Sequence, residues 1–205
     1  MSTESNPDNA SVESAEQDVQ HRLRLAEPEF TTRGILFSTI LQVVEDVTQD
    51  EEIVRRCQET TGEKSFIAFF QYPTRSLLML LAAAADALSV EYGSFEGALR
   101  QIAMPCALAF LETPVGRAAL QHTGDRPQRF MLVMQTLYDV LATYFKTEVS
   151  YPASNTGVLS VRSTLMPLVY HEGAALAIAE RMGLKLVRVR ARRTSPLGID
   201  LEMCW

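Results

Sequence analysis

Residues 147–205 read TEVSYPASNTGVLSVRSTLMPLVYHEGAALAIAERMGLKLVRVRARRTSPLGIDLEMCW. Thr147 to Tyr151 and Val158 to Arg162 are short runs around a turn that contains Asn155 and Gly157, which predicts two paired strands. Pro167 opens a helix, because its fixed φ suits a first helical turn, and Met182-Gly183 closes it. From Leu184 to Arg193 the chain alternates, with Leu184, Leu186, Val189 and Ala191 against Lys185, Arg188, Arg190 and Arg192. Pro196 to Gly198 then turns it into Ile199–Trp205. The order is strand-strand-helix-strand-strand. It predicts an antiparallel sheet packed on the Pro167–Met182 helix.

Upstream of this unit the pattern is helical. Gly34-Ile-Leu-Phe-Ser is a strand or the start of a helix, and Ile40, Leu41, Val44 and Val47 then follow helical spacing. A second helix is expected from Asp50 to about Thr60, closed by Gly62, and Ser65 to Gln71 reads as extended. Tyr72-Pro73 starts a third helix, whose Leu77–Leu88 stretch is apolar on every face and so belongs in the interior. Ser94 is an N-cap for the next, in which Leu99, Ile102, Ala103, Cys106, Ala109 and Phe110 share a face. Pro105 falls inside that face and predicts a kink or break, since it removes a backbone donor and crowds the preceding turn. Thr113-Pro114 begins a short helix to about His122, and Pro127 a longer one with a stripe of Phe130, Val133, Leu137, Leu141 and Tyr144. The fold class is therefore α+β, an N-terminal helical layer followed by a ββαββ unit.

The chain of 205 residues has a net charge of −6. Residues 1–32 hold seven acids and two bases, while the remainder holds 18 acids and 17 bases, so the acidity belongs to the first segment. Residues 1–28 carry almost no large apolar side chains and are expected to form a disordered acidic tail, leaving 29–205 as one domain. Nothing near the start reads as a signal peptide. The longest apolar run, Leu77 to Ala85, is nine residues and too short to span a bilayer. Cys57, Cys106 and Cys204 form no CxxC spacing and read as reduced thiols, which implies a cytoplasmic setting. The acidic balance makes nucleic acid an unfavourable partner. No metalloprotease, phosphate-loop or serine-hydrolase motif is present, and three histidines are few for a zinc enzyme.

Several stretches resemble a known family. They are Tyr72-Pro73, the alanine-rich Leu80–Ala87, Tyr92-Gly-Ser-Phe-Glu-Gly-Ala-Leu-Arg100, Phe110-Leu-Glu-Thr-Pro-Val-Gly-Arg117, Pro167, Tyr170-His-Glu-Gly173 and a terminal strand ending in Trp205. Together they resemble the myxobacterial paralogous family known as domain of unknown function 2378, over about residues 33–205. Pro105 departs from the uninterrupted helix expected there. The resemblance implies a bacterial cytoplasmic protein with no assigned activity. In architecture, helices followed by ββαββ are similar to the superfamily of haem nitric-oxide/oxygen sensors, vinyl-reductase-type domains and TRAPP subunits, which is a likeness of fold and not of function.

His171 has Ala174, Ala175, Ile178 and Met182 on its own helix face, so it is either a pocket ligand or proton carrier, or, more ordinarily, a buried histidine with its hydrogen bonds satisfied. Glu172 points about 100° away. Gly173 is expected to let the helix approach the sheet. Tyr170, His171 and Tyr151 are the ligand-pocket candidates. His122 is the haem candidate: Tyr151 follows it by 29 residues, as a Tyr-x-Ser-x-Arg motif follows the proximal histidine in haem sensors, but Ser154 is displaced and the arginine is missing. Lys185, Arg188, Arg190, Arg192 and Arg193 form a basic stripe that is a solvated face, an anionic-partner site or the seat of the acidic tail. The expectation is a non-enzymatic sensory or adaptor domain with no cofactor, holding a small apolar ligand between helices and sheet. The alternatives are a protein-interaction module, such as a homodimer, a haem-binding gas sensor, or an enzyme without a recognisable motif.

Overall fold

A computed structural model describes residues 14–121, 126–186 and 188–205. Its first element differs from expectation. Ser14 caps helix α1 (Ala15–Leu25): its hydroxyl accepts from Gln17 N at 3.2 Å, and Gln17 Oε1 accepts from Ser14 N at 3.1 Å. This reciprocal box satisfies two backbone donors that would otherwise be orphaned. Residues 14–28 are thus not solvated tail, while 1–13 lie outside the described residues. The helix docks with buried Val19, Asp18 and Arg22, and Arg75 donates to the Leu23 carbonyl at 2.5 Å.

β1 (Thr31–Arg33) pairs antiparallel with β2 (Gln71–Pro73). This pair replaces the longer extended segment expected over 65–71, because Phe70 N turns back onto Ile67 O at 3.0 Å. Gly34 begins α2 (Gly34–Thr48), which settles its stretch as helix. Asp50 caps α3 (Glu51–Glu59), accepting from Glu52 N at 2.9 Å. α4 (Thr74–Leu88) buries Leu77, Leu78, Leu80 and Leu81 completely or nearly so. Each such leucine contributes about 1.5–3 kcal/mol.

α5 (Phe95–Leu111) begins at the Ser94 cap, which accepts from Gly97 N at 2.9 Å. It continues through Pro105, so the break that proline allowed does not occur. The carbonyl that loses its donor is that of exposed Gln101, where water can replace the missing bond. α6 (Pro114–Gln121) and α7 (Pro127–Leu141) follow.

The C-terminal unit has the expected order: β3 (Thr147–Ala153), β4 (Thr156–Val161), α8 (Leu168–Arg181), β5 (Arg188–Arg193) and β6 (Ile199–Cys204). The four strands lie β3-β4-β6-β5, with every neighbouring pair antiparallel. Leu159 faces Leu201 and Val161 faces Ile199, so alternate residues of β4 and β6 cover one buried face. That face packs with α7 and α8 through Phe130, Leu137, Ala175 and Ile178. A second core cluster joins α2, α4 and α5. Gly173 lets α8 approach α5, not the sheet: a Cβ there would lie 2.3 Å from Arg100 O and 3.1 Å from the Ala103 Cβ.

Candidate functional site

Pro167 caps α8 and puts Tyr170 and His171 in its first turn, aimed at α5 and α7 and away from the sheet. His171 is only 2% exposed. Its Nδ1 lies 2.5 Å from the Tyr138 hydroxyl and its Nε2 lies 3.0 Å from Thr164 Oγ1. A neutral imidazole has one donor and one acceptor nitrogen, so both are engaged. Thr164 Oγ1 also accepts from Met166 N at 3.1 Å. Behind it lies the fully buried Arg22, which donates from Nη1 to Thr164 O at 2.8 Å and from Nε to Asp18 at 2.7 Å. Asp18 also accepts from Arg193 at the end of β5.

Burial, reinforced by the positive Arg22, pushes His171 down to about 3. Its burial and its two engaged nitrogens agree with the ordinary reading of a buried histidine, and burial disfavours its charged form.

His171, Tyr170 and Tyr138 line a cavity of about 50 Å³, whose other walls include Leu36, Leu77, Phe110, Leu137 and Ile178. Thr74, Cys106 and Tyr144 also reach it. The cavity lies among α2, α4, α5, α7 and α8. No residue of β3–β6 lines it, so this cavity lies among helices and not between helices and sheet. Burial pushes the Cys106 thiol and the Tyr144 hydroxyl up to about 12, and raises Tyr138 and Tyr170 as well. The Cys106 thiol and the Tyr170 hydroxyl are neighbours and each influences the other's titration. All five of these titratable groups are uncharged at neutral pH. They supply neither a thiolate nucleophile nor a base poised near 7.

Tyr151 does not join the site. It stands 45% exposed on the edge strand β3, and its hydroxyl donates to Gln128 O at 3.3 Å. His122 lies outside the described residues. Thr164 and Tyr138 are site residues that sequence reasoning missed. Thr164 carries no local signal, whereas Tyr138 sits one position after Leu137 of the recognised α7 stripe.

Arg188, Arg190 and Arg192 lie on the exposed face of β5 and Lys185 on the preceding segment, whereas Arg193 shares the face of Val189 and Ala191. Arg188 pairs with Glu202 at 2.5 Å and Arg192 with Asp200 at 3.0 Å across β6. Such exposed pairs contribute about 0–1 kcal/mol. Lys185 and Arg190 make no ion pair among the described residues. Of the first segment's acids, Asp18 reaches the stripe, at Arg193.

Residues 26–205 match the family described as protein of unknown function, DUF2378. The chain belongs to that family. No curated protein sequence matches this DUF2378 chain. Solved structures do. The Fe(II) unliganded H-NOX protein from K. algicida is 12% identical, with TM-score 0.59, over 84% of this chain and 95% of that one. The Fe(II)NO form of an H-NOX protein from S. oneidensis is 10% identical, with TM-score 0.63, over 84% and 99%. A third match, at 10% identity and TM-score 0.59 over the same 84% and 99%, is a haem protein with a distorted porphyrin. At these identities the likeness is one of fold.

The described residues of the DUF2378 chain do not fit a haem. A cavity of roughly 150 Å³ takes one benzene ring. The space here is about 50 Å³, and the one histidine among its lining residues has both nitrogens engaged.

Proposed function

We propose that this DUF2378 protein is a non-enzymatic, cytoplasmic sensory or adaptor domain that holds a small apolar ligand in the cavity bounded by α2, α4, α5, α7 and α8. The observation that carries this reading is the cavity itself: an apolar space whose titratable groups are neutral, built on a buried and saturated Tyr138–His171–Thr164 chain. Apolar pockets with a few placed polar groups are the usual form of small-molecule sites. The H-NOX likeness supports a sensory role. Among the described residues no helix is long and apolar enough to cross a membrane.

An NMR titration of the isotope-labelled protein with dissolved xenon tests this. Shifts confined to residues such as Leu77, Phe110 and Ile178 are expected, and Ala174→Leu, which fills the space, removes them. Shifts that are absent, or unchanged in the filled variant, refute the reading.

Exposed apolar side chains favour a second reading, that of an interaction module. Phe69 and Phe70 are each 60% exposed beside Ile67 in the turn before β2. Patches of this kind mark partner surfaces when contiguous. Native mass spectrometry showing a dimer that Phe69→Ser with Phe70→Ser abolishes would support it, and a monomer at every concentration would refute the homodimer.

A further inference from the structure

Thr74 is the first residue of α4 and is 0% exposed, and its side chain lines the cavity. Its Oγ1 makes no hydrogen bond within the protein. The Tyr144 hydroxyl is its polar neighbour. Among the other polar side chains around the space, Tyr138 and His171 hold each other and Thr32 donates to Leu141 O at 3.2 Å. A buried hydroxyl that has given up water and found no partner is unfavourable, and a ligand atom that completes it gains what the fold left open.

The cavity also lacks charge. Its lining contains no Asp, Glu, Lys or Arg. Arg22 is buried nearby, with Nε on Asp18 and Nη1 on Thr164 O, and it does not line the space. An ion entering would shed its hydration with no counter-charge to receive it. The size sets the remaining limit. About 50 Å³ is a third of a benzene-sized cavity, which corresponds to about two to four heavy atoms.

We propose that the cavity selects a neutral molecule of this size with one hydrogen-bond-accepting oxygen, a small ketone, aldehyde or alcohol, bound with that oxygen on the Thr74 hydroxyl. The inference rests on the ligand-binding reading above and adds one polar atom to its otherwise apolar ligand. Thr74 donates O–H to the ligand oxygen, and the ligand carbons face Leu36, Leu77, Phe110 and Ile178. No bond is made or broken, and the ligand leaves unchanged.

Three probes of nearly the same trigonal shape separate the contributions: acetone, isobutene and acetate. Their affinities are measured by NMR titration of the full chain at pH 7, with xenon as the apolar control. Acetone is expected to bind about fivefold to tenfold more tightly than isobutene, the factor that one net hydrogen bond supplies. Acetate is expected not to bind. Thr74→Val keeps the shape, removes the hydroxyl and should erase the preference for acetone, whereas Thr74→Ser should retain it.

Equal affinities for acetone and isobutene while xenon binds would overturn the inference alone, as would a preference that survives Thr74→Val. Failure of every probe, xenon included, would overturn the ligand-binding reading and the inference together. If the valine variant does not fold, the acetone-to-isobutene ratio in the unaltered protein still decides.

Discussion

Acidification should unfold this protein through His171, and His171→Gln should remove that sensitivity. In the folded chain the imidazole is held neutral, at about 3 against an ordinary 6.5, first by burial and then by Arg22. Between these two values the unfolded chain binds a proton that the folded chain refuses, so stability is present above about pH 6.5 and is lost as pH falls toward 3. Each pH unit in that window removes about 1.4 kcal/mol, and the whole window about 5 kcal/mol. From pH 8 to 4.5 the share of His171 is about 2.5–3 kcal/mol, a large part of the 5–15 kcal/mol that typically stabilises a domain. The assay is urea unfolding followed by circular dichroism at several pH values, on wild type and on His171→Gln. Glutamine can keep hydrogen bonds to Tyr138 and Thr164 but cannot titrate. It should offset stability at neutral pH and flatten the slope between pH 6.5 and 4.5. Parallel curves for the two proteins would refute the reasoning, because the acid sensitivity would then lie elsewhere.

Three further outcomes follow from the packing and the cavity. Gly173→Ala forces α5 and α8 apart and should cost about 1–3 kcal/mol, read as a lower thermal midpoint, while Ala175→Gly on the same helix should cost only about 1 kcal/mol. Arg22→Met leaves Asp18 buried and Thr164 O without its donor; losing one member of a buried pair costs about 3–5 kcal/mol, and the retained Arg193 contact should hold the loss near the lower bound in urea unfolding. Haemin added to the purified protein should give no Soret band that His122→Ala removes, and such a band would show that residues outside those described bind haem.

The C-terminal unit was legible because its elements announce themselves locally. The short run Val158–Arg162, the proline at 167 and the glycine at 183 mark elements without tertiary information, whereas the alternation from Leu184 starts before the strand, which is Arg188–Arg193. Helix α1 was not legible from apolar spacing. Its buried residues are Asp18, Val19 and Arg22, so two of the three are charged and are stabilised by partners far along the chain, Thr164 and Arg193. The local signals were the Ser14-x-x-Gln17 box and the Asp18–Arg22 spacing. Pro105 misled because its cost depends on whether water reaches the Gln101 carbonyl, which is a tertiary fact.

The site divides in the same way. The burial of His171 could be read from Ala174, Ala175 and Ile178 on its face. Its partners could not, since Tyr138 comes from another helix and Thr164 from a connecting segment. Tyr151 was misplaced because a tyrosine near a strand pattern says nothing about which strand forms the sheet edge; β3 does, and its side chain faces outward.

This fold keeps a small space without charged side chains against the Tyr138–His171–Thr164 chain. If that space is dry, a crystal of the protein pressurised with xenon should show one strong peak of density between Leu77, Phe110 and Ile178, lost in Ala174→Leu. No peak there, or ordered water filling the space in its place, would contradict it.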